Sequence, residues 1–153
     1  MSCRDAALAA LGRRALTRRE LAQRLARKGY GREEVDGVLE ALAGRGLLDD
    51  AKTAEQHVRS RALRGVGKRR VAAELAARGV AEGERSAALA GIDAEGERAR
   101  LLEALAKRER ALGGLTERER SRKLFDHLVR RGFSPDAVLE ALRRKGEAVD
   151  ADE

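Results

Sequence analysis

Thr17-Arg18-Arg19-Glu20-Leu21-Ala22-Gln23-Arg24-Leu25-Ala26-Arg27-Lys28-Gly29-Tyr30 spells out one complete helix with both of its ends. Thr17 followed three residues on by Glu20 is a capping box, in which each side chain serves the other's backbone N–H. Leu16 and Leu21 flank it at the spacing of a hydrophobic staple. Leu21 and Leu25 lie one turn apart on a single face. Arg27 and Lys28 place cations at the C-terminus, where the helix dipole favours them. Gly29 then stands where a left-handed cap needs no Cβ, and Tyr30 can fold back on the last turn.

The pattern recurs twice. Val71-xxx-Leu75-xxx-Gly79-Val80 and Leu124-xxx-Leu128-xxx-Gly132-Phe133 repeat the two apolar positions, the glycine and the apolar residue after it. Basic residues again precede the glycine: Arg78 in one copy, Arg130 and Arg131 in the other. Thr116-Glu117-Arg118-Glu119 begins the third copy with a second capping box, its staple weakened by the pairing of Leu115 with Arg120. Gly67 stands at the middle copy's cap position and offers no side-chain oxygen.

Working outward, each glycine is followed by a shorter helix. The first carries Val35, Val38, Leu39 and Leu42; the second carries Leu89 and Ile92. The third opens with Ser134 as cap and Pro135 at its first position, then Val138, Leu139 and Leu142. Leu39, Leu89 and Leu142 each fall ten residues after their glycine. A further helix precedes each central one, at about 6–15, 50–64 and 94–112, with Asp49-Asp50 read as its cap in the middle copy. The expected fold is all-α: three tandem three-helix repeats, over 1–50, 51–93 and 94–153, forming an elongated, curved molecule. The acidic tail from Glu147 to Glu153 is expected to fray.

Composition agrees with slender helices. Apolar residues are 42% of the 153, aromatics 2% and charged residues 39%. Ala and Leu seams fit that mixture better than a β-sandwich, which would draw on β-branched and aromatic side chains. One cysteine, Cys3, excludes an intrachain disulfide framework. No apolar run approaches the length of a membrane span, and the N-terminus lacks the plan of a signal peptide, so the expected compartment is the cytoplasm.

Residues 1–50 hold 10 basic and 8 acidic side chains, residues 51–93 hold 9 and 5, and residues 94–153 hold 14 and 13. The middle third is therefore the most cationic. Within it Arg59, Arg61, Arg64, Lys68, Arg69 and Arg70 occur without an intervening acid, beside Gly65 and Gly67, which would let a ligand approach the backbone. A second basic stretch holds Arg13, Arg14, Arg18, Arg19, Arg24, Arg27 and Lys28, interrupted by Glu20.

Catalytic signatures are wanting. His57 and His127 have no carboxylate or second histidine at metal or catalytic spacing. Gly65-Val66-Gly67-Lys68 lacks the strand, the spacing and the Ser/Thr of a phosphate loop. The expectation is a binding protein rather than an enzyme, with no cofactor or metal.

The ordered set Gly46-Leu47-Leu48-Asp49-Asp50, Ala54-Glu55, Val58-Arg59, Arg61, Gly65-x-Gly67 and Glu74-Leu75-xxx-Gly79-Val80 resembles the central signature of RecX proteins, modulators of the RecA recombinase. Arg19-Glu20-Leu21-xxx-Leu25-xx-Lys28-Gly29 is similar to their first repeat, and Arg131-Gly132-Phe133-Ser134 to their third. The resemblance covers about residues 6 to 143. Thr53 and His57 depart from it where aromatics are usual, Lys68 where Pro is common and Val71 where Ile is common. These departures bear on local packing more than on partner choice.

The resemblance implies a regulator that binds the RecA filament on DNA and inhibits its recombinase, ATPase and co-protease activities. The partner-binding or DNA-binding residues would be Arg59, Arg61, Arg64, Lys68, Arg69 and Arg70, extended by Arg18, Arg19, Arg24 and Lys28. Any contact with single-stranded DNA would be nonspecific, since no helix shows a grouping for base readout and aromatics for stacking are scarce. A monomer without membrane attachment is expected. The other reading of the same charge is a nonspecific DNA-binding helical-repeat protein with no recombinase partner.

Overall fold

The computed structural model describes residues 1–152, with side chains described through Glu147. Among the described residues there are nine helices and no strand. They are α1 (Cys3–Arg13), α2 (Arg18–Arg27), α3 (Arg32–Gly44), α4 (Asp50–Leu63), α5 (Lys68–Ala77), α6 (Glu82–Leu89), α7 (Ala94–Ala111), α8 (Glu117–Arg130) and α9 (Pro135–Asp152). They group in threes as tandem repeats, with α2, α5 and α8 the central helices.

Their boundaries have local causes. Both capping boxes form, at Thr17 with Glu20 and at Thr116 with Glu119. Single side-chain caps serve four other helices. Ser2 accepts from the Asp5 N–H, Asp49 from that of Lys52, Asp93 from that of Gly96 and Ser134 from that of Ala137. Gly29, Gly79 and Gly132 all adopt positive φ, at 96°, 87° and 102°, as their place after the central helices requires.

One reading is corrected. Ile92 lies in a turn beyond α6, which ends at Leu89, between Gly91 and the Asp93 that caps α7. Leu139 is 55% exposed, while Ala141 is buried on the same helix. The backbone of α9 runs on to Asp152, and Glu153, the end of the tail expected to fray, lies outside the described residues.

The chain packs as two compact units. The first comprises Met1–His57 and Glu74–Leu89. Its core joins Cys3, Ala6, Ala7 and Ala10 of α1 to Leu21 and Leu25 of α2 and to Val35, Leu39 and Leu42 of α3. Burial, and then the charge of Glu34, push the Cys3 thiol above its ordinary range. The second unit comprises Val58–Ala73 and the chain from Ala90 onward. There Leu101 and Leu105 of α7, Leu124 and Leu128 of α8, and Val138 and Ala141 of α9 close around Phe133. The middle repeat is thus shared, and α4 and α5 each contribute one end to either unit.

Both units contain the same junction. In the first, the C-terminus of α5 meets the N-terminus of α2: the buried Thr17 hydroxyl donates to the Arg78 carbonyl at 2.6 Å. In the second, the C-terminus of α8 meets the N-terminus of α5. The Gly67 and Arg69 N–H groups donate to the Arg131 and Gly132 carbonyls at 2.7 and 3.0 Å. Orphan carbonyls of one helix so satisfy donors at the start of another, and opposite dipole ends adjoin.

Candidate partner-binding surface

The basic stretch Arg59 to Arg70 runs along the end of α4, a turn and the start of α5, all within the second unit. Arg59, Arg64, Arg69 and Arg70 are exposed, and Arg61 and Lys68 are half-buried. Much of the backbone here is committed internally. The Arg64 carbonyl accepts from the Arg131 guanidinium, and the Lys68 N–H donates to Glu97 Oε1 at 2.8 Å. The Arg70 guanidinium reaches the Arg130 carbonyl at 3.5 Å. Cations at a helix N-terminus oppose its dipole; here the C-terminal carbonyls of α8 and the carboxylate of Glu97 offset that opposition.

Two expectations change accordingly. Gly67 does not open the backbone to a ligand. A Cβ there would fall on the carbonyl of Gly132 and on the Phe133 nitrogen, so the space is filled by the protein itself. The absence of acids along the stretch also fails to hold in three dimensions, because Glu97 is brought in from α7. The side chains left most available are Arg59 and Arg69, with Arg64 at the edge.

The second basic stretch belongs to the first unit. Arg18 and Arg19 are exposed at the start of α2, Arg24 is half-buried and Lys28 is exposed at its end. Arg18 pairs with Glu40 at 2.9 Å, and its N–H donates to Asp50 at 2.8 Å, so Asp50 helps to cap α2. The aliphatic stem of Arg19 lies over Gly79, where a Cβ would collide with it. Arg14 and Arg78 both bind Glu20, at 3.3 and 2.8 Å. Burial acts to raise the Glu20 carboxyl. Hydrogen bonds from Arg78 and the Thr17 backbone, with the charges of Arg78 and Arg14, outweigh it and hold the group below its ordinary range. Of the predicted binding residues in this stretch, Arg24 and Lys28 are those not tied into the fold by such a contact.

His57 has a carboxylate after all: its Nε2 lies 3.2 Å from Glu74 Oε1, supplied by α5, a partner that sequence spacing does not reveal. The setting of His127 favours its neutral form. Burial first, then the charges of Arg108, Arg131 and Arg130, lower its pKa. No group of three or more His, Cys, Asp or Glu is placed to hold a metal ion among the described residues. None of the described helices is long and apolar enough to cross a membrane.

Family models for the three RecX three-helix domains match the chain in order. The first domain matches residues 3–42, the second 49–89 and the third 95–142. The Regulatory protein RecX of Halorhodospira halophila is 47% identical over 140 residues, which is 90% of this chain and 84% of that protein. That of Chromohalobacter salexigens is 40% identical over 94% of this chain and 93% of its own length. That of Mycobacterium tuberculosis is 41% identical over 84% and 77%. The crystal structure of RecX from Lactobacillus salivarius superposes with a TM-score of 0.83 over 93% of each chain at 20% identity, a likeness of fold. Three domains matched in sequence order, relatives well above a third identical along most of their length, and a shared fold have one reading: the chain belongs to the RecX family.

Proposed function

We propose that this protein is a cytoplasmic regulator, not an enzyme, that binds the RecA recombinase filament on DNA and inhibits its recombinase, ATPase and co-protease activities. One observation carries this reading beyond family membership. Arg59 and Arg69 remain exposed on the second unit after the neighbouring cations have been drawn into the α5–α8 junction. Exposed guanidinium groups of this kind suit acidic protein surface or phosphate, where charge-assisted contacts are strong. Arg24 and Lys28 would serve the same end on the first unit. The protein acts as a monomer, and its contact with single-stranded DNA is nonspecific.

Titration into a preformed filament of RecA, single-stranded DNA and ATP tests this, with ATPase rate and filament length followed together. Both should fall as the protein is added. Arg59→Glu combined with Arg69→Glu should weaken inhibition while helicity is kept. A protein that binds bare DNA yet leaves the filament's ATPase and length unchanged would establish the other reading, a DNA-binding helical repeat with no recombinase partner.

A further inference from the structure

The end of α4, the outer side of α7 and the end of α8 enclose a cleft of about 380 Å³ within the second unit. It borders the basic stretch, which supplies Ala62, Leu63, Arg64 and Gly65, and its other lining residues come from α7 and the end of α8. Arg64, Lys107, Arg108 and Arg131 line it together with His127. Arg100 lines it too, but is paired with Glu97 at 3.0 Å. Against these cations the lining offers one carboxylate, Glu103. Ala62, Ala104 and Leu63, the last 90% exposed, give the cleft an apolar wall.

Such an arrangement is costly for an isolated protein. Like charges share a concave space, where field lines are focused and solvent screening is reduced. The Nε atoms of Arg100 and Arg108 are buried with no hydrogen-bond partner, although buried donors are ordinarily satisfied. The groups facing His127 are Arg108 and Lys107 of α7, Arg130 and Arg131 at the end of α8, and Arg64 from the turn after α4, with Glu103 opposing them. One carboxylate among the lining residues leaves most of that positive surplus unanswered.

We propose that this cleft binds a phosphate group carried on a partly apolar molecule, as in a nucleotide unit. Phosphate oxygens would accept from Lys107, Arg108 and Arg131, and the sugar or base would lie along Leu63 and Ala104. Binding is linked to protonation. The surrounding cations and burial favour the neutral form of His127, and an adjoining anion favours its charged form. For a phosphodiester, whose own charge does not change, affinity therefore rises as pH falls towards the His127 pKa, which lies below the ordinary histidine value. The inference stands apart from the recombinase reading and is tested on the chain alone. Failure here leaves filament inhibition untouched, and a protein that does not inhibit filaments can still bind phosphate.

The test is proton NMR of the two histidines during titration with inorganic phosphate, with a short oligothymidylate and with a Glu-rich peptide. A saturable shift of His127 by a phosphate probe, with its pKa raised and His57 unmoved, is the expected result. Equal affinities for phosphate and oligonucleotide identify free phosphate as the source; an oligonucleotide bound about tenfold more tightly, the worth of one further charged contact, identifies a strand. Lys107→Gln with Arg108→Gln should weaken binding by about tenfold or more. The same pair should leave the melting temperature unchanged or raised, because repulsion is relieved, whereas a purely structural role would lower it. Should the double variant fail to fold, the exposed Lys107→Gln alone should still lower affinity. The proposal is overturned if no phosphate probe moves His127, if the variants respond as the wild type does, or if the acidic peptide alone is bound.

Discussion

Thr17 shows how much one side chain can be asked to do. Its oxygen accepts from the Glu20 N–H at 3.1 Å while its hydroxyl hydrogen goes to the Arg78 carbonyl. Thr17→Ala should therefore cost about 1–2 kcal/mol, more than an exposed cap, since a part-buried carbonyl loses its donor as well. Chemical denaturation would check this, and a variant within a few tenths of wild type would show that water replaces the hydroxyl. Glu20 makes the same junction sensitive to acid. Its folded pKa lies below the unfolded one, so its contribution is present above the ordinary carboxylate range and is lost as pH falls through the folded value. Stability should thus decline below about pH 4, and by less in Glu20→Gln, when melting is followed against pH. The capping box was legible as Thr-x-x-Glu. The partner of both residues was not, because Arg78 stands 61 positions from Thr17 and is brought there by the docking of α5.

At the scale of elements, the two junctions solve one problem with different chemistry. Thr17 bridges to the next central helix through a side chain. Gly67, at the equivalent position, has none, so α8 comes close enough for backbone to meet backbone. Gly67→Ala should be destabilising by about 2–3 kcal/mol, as overpacking against backbone allows little relief. Gly29→Ala should cost about 1–2 kcal/mol by a separate route: its φ is 96° but nothing lies within 4 Å of a Cβ. Equal losses in thermal unfolding would refute the distinction. The helices and their caps could be read from spacing because those signals are local. What spacing could not show was that Gly67 sits at a packed crossing, or that Glu97 answers the basic run. Nor did the apolar spacing on α9 show that Leu139 is exposed while Ala141 is buried.

Across the whole molecule, charge follows the compact units more sharply than it follows the sequence thirds. The first unit's segments carry 13 basic and 12 acidic side chains, and the second unit's segments carry 20 and 14. The excess of +7 thus falls almost wholly on the second. Exposed charges are screened beyond about 8 Å at physiological ionic strength, so association with an anionic filament should weaken with salt. The two basic surfaces can be separated experimentally. Arg59→Glu with Arg69→Glu should lower filament affinity more than Arg24→Glu with Lys28→Glu, because the second unit begins from the larger positive surplus and its pair is the more exposed. On bare single strands, every phosphate that a variant no longer neutralises should reduce the slope of log affinity against log salt by about 0.7. A protein-dominated interface gives a different signature: the Arg59 and Arg69 variant loses filament binding while its slope on bare DNA barely moves. Measuring both affinities over a salt series decides between them, and equal effects of the two double variants on the filament would show that the charge asymmetry of the units does not direct binding.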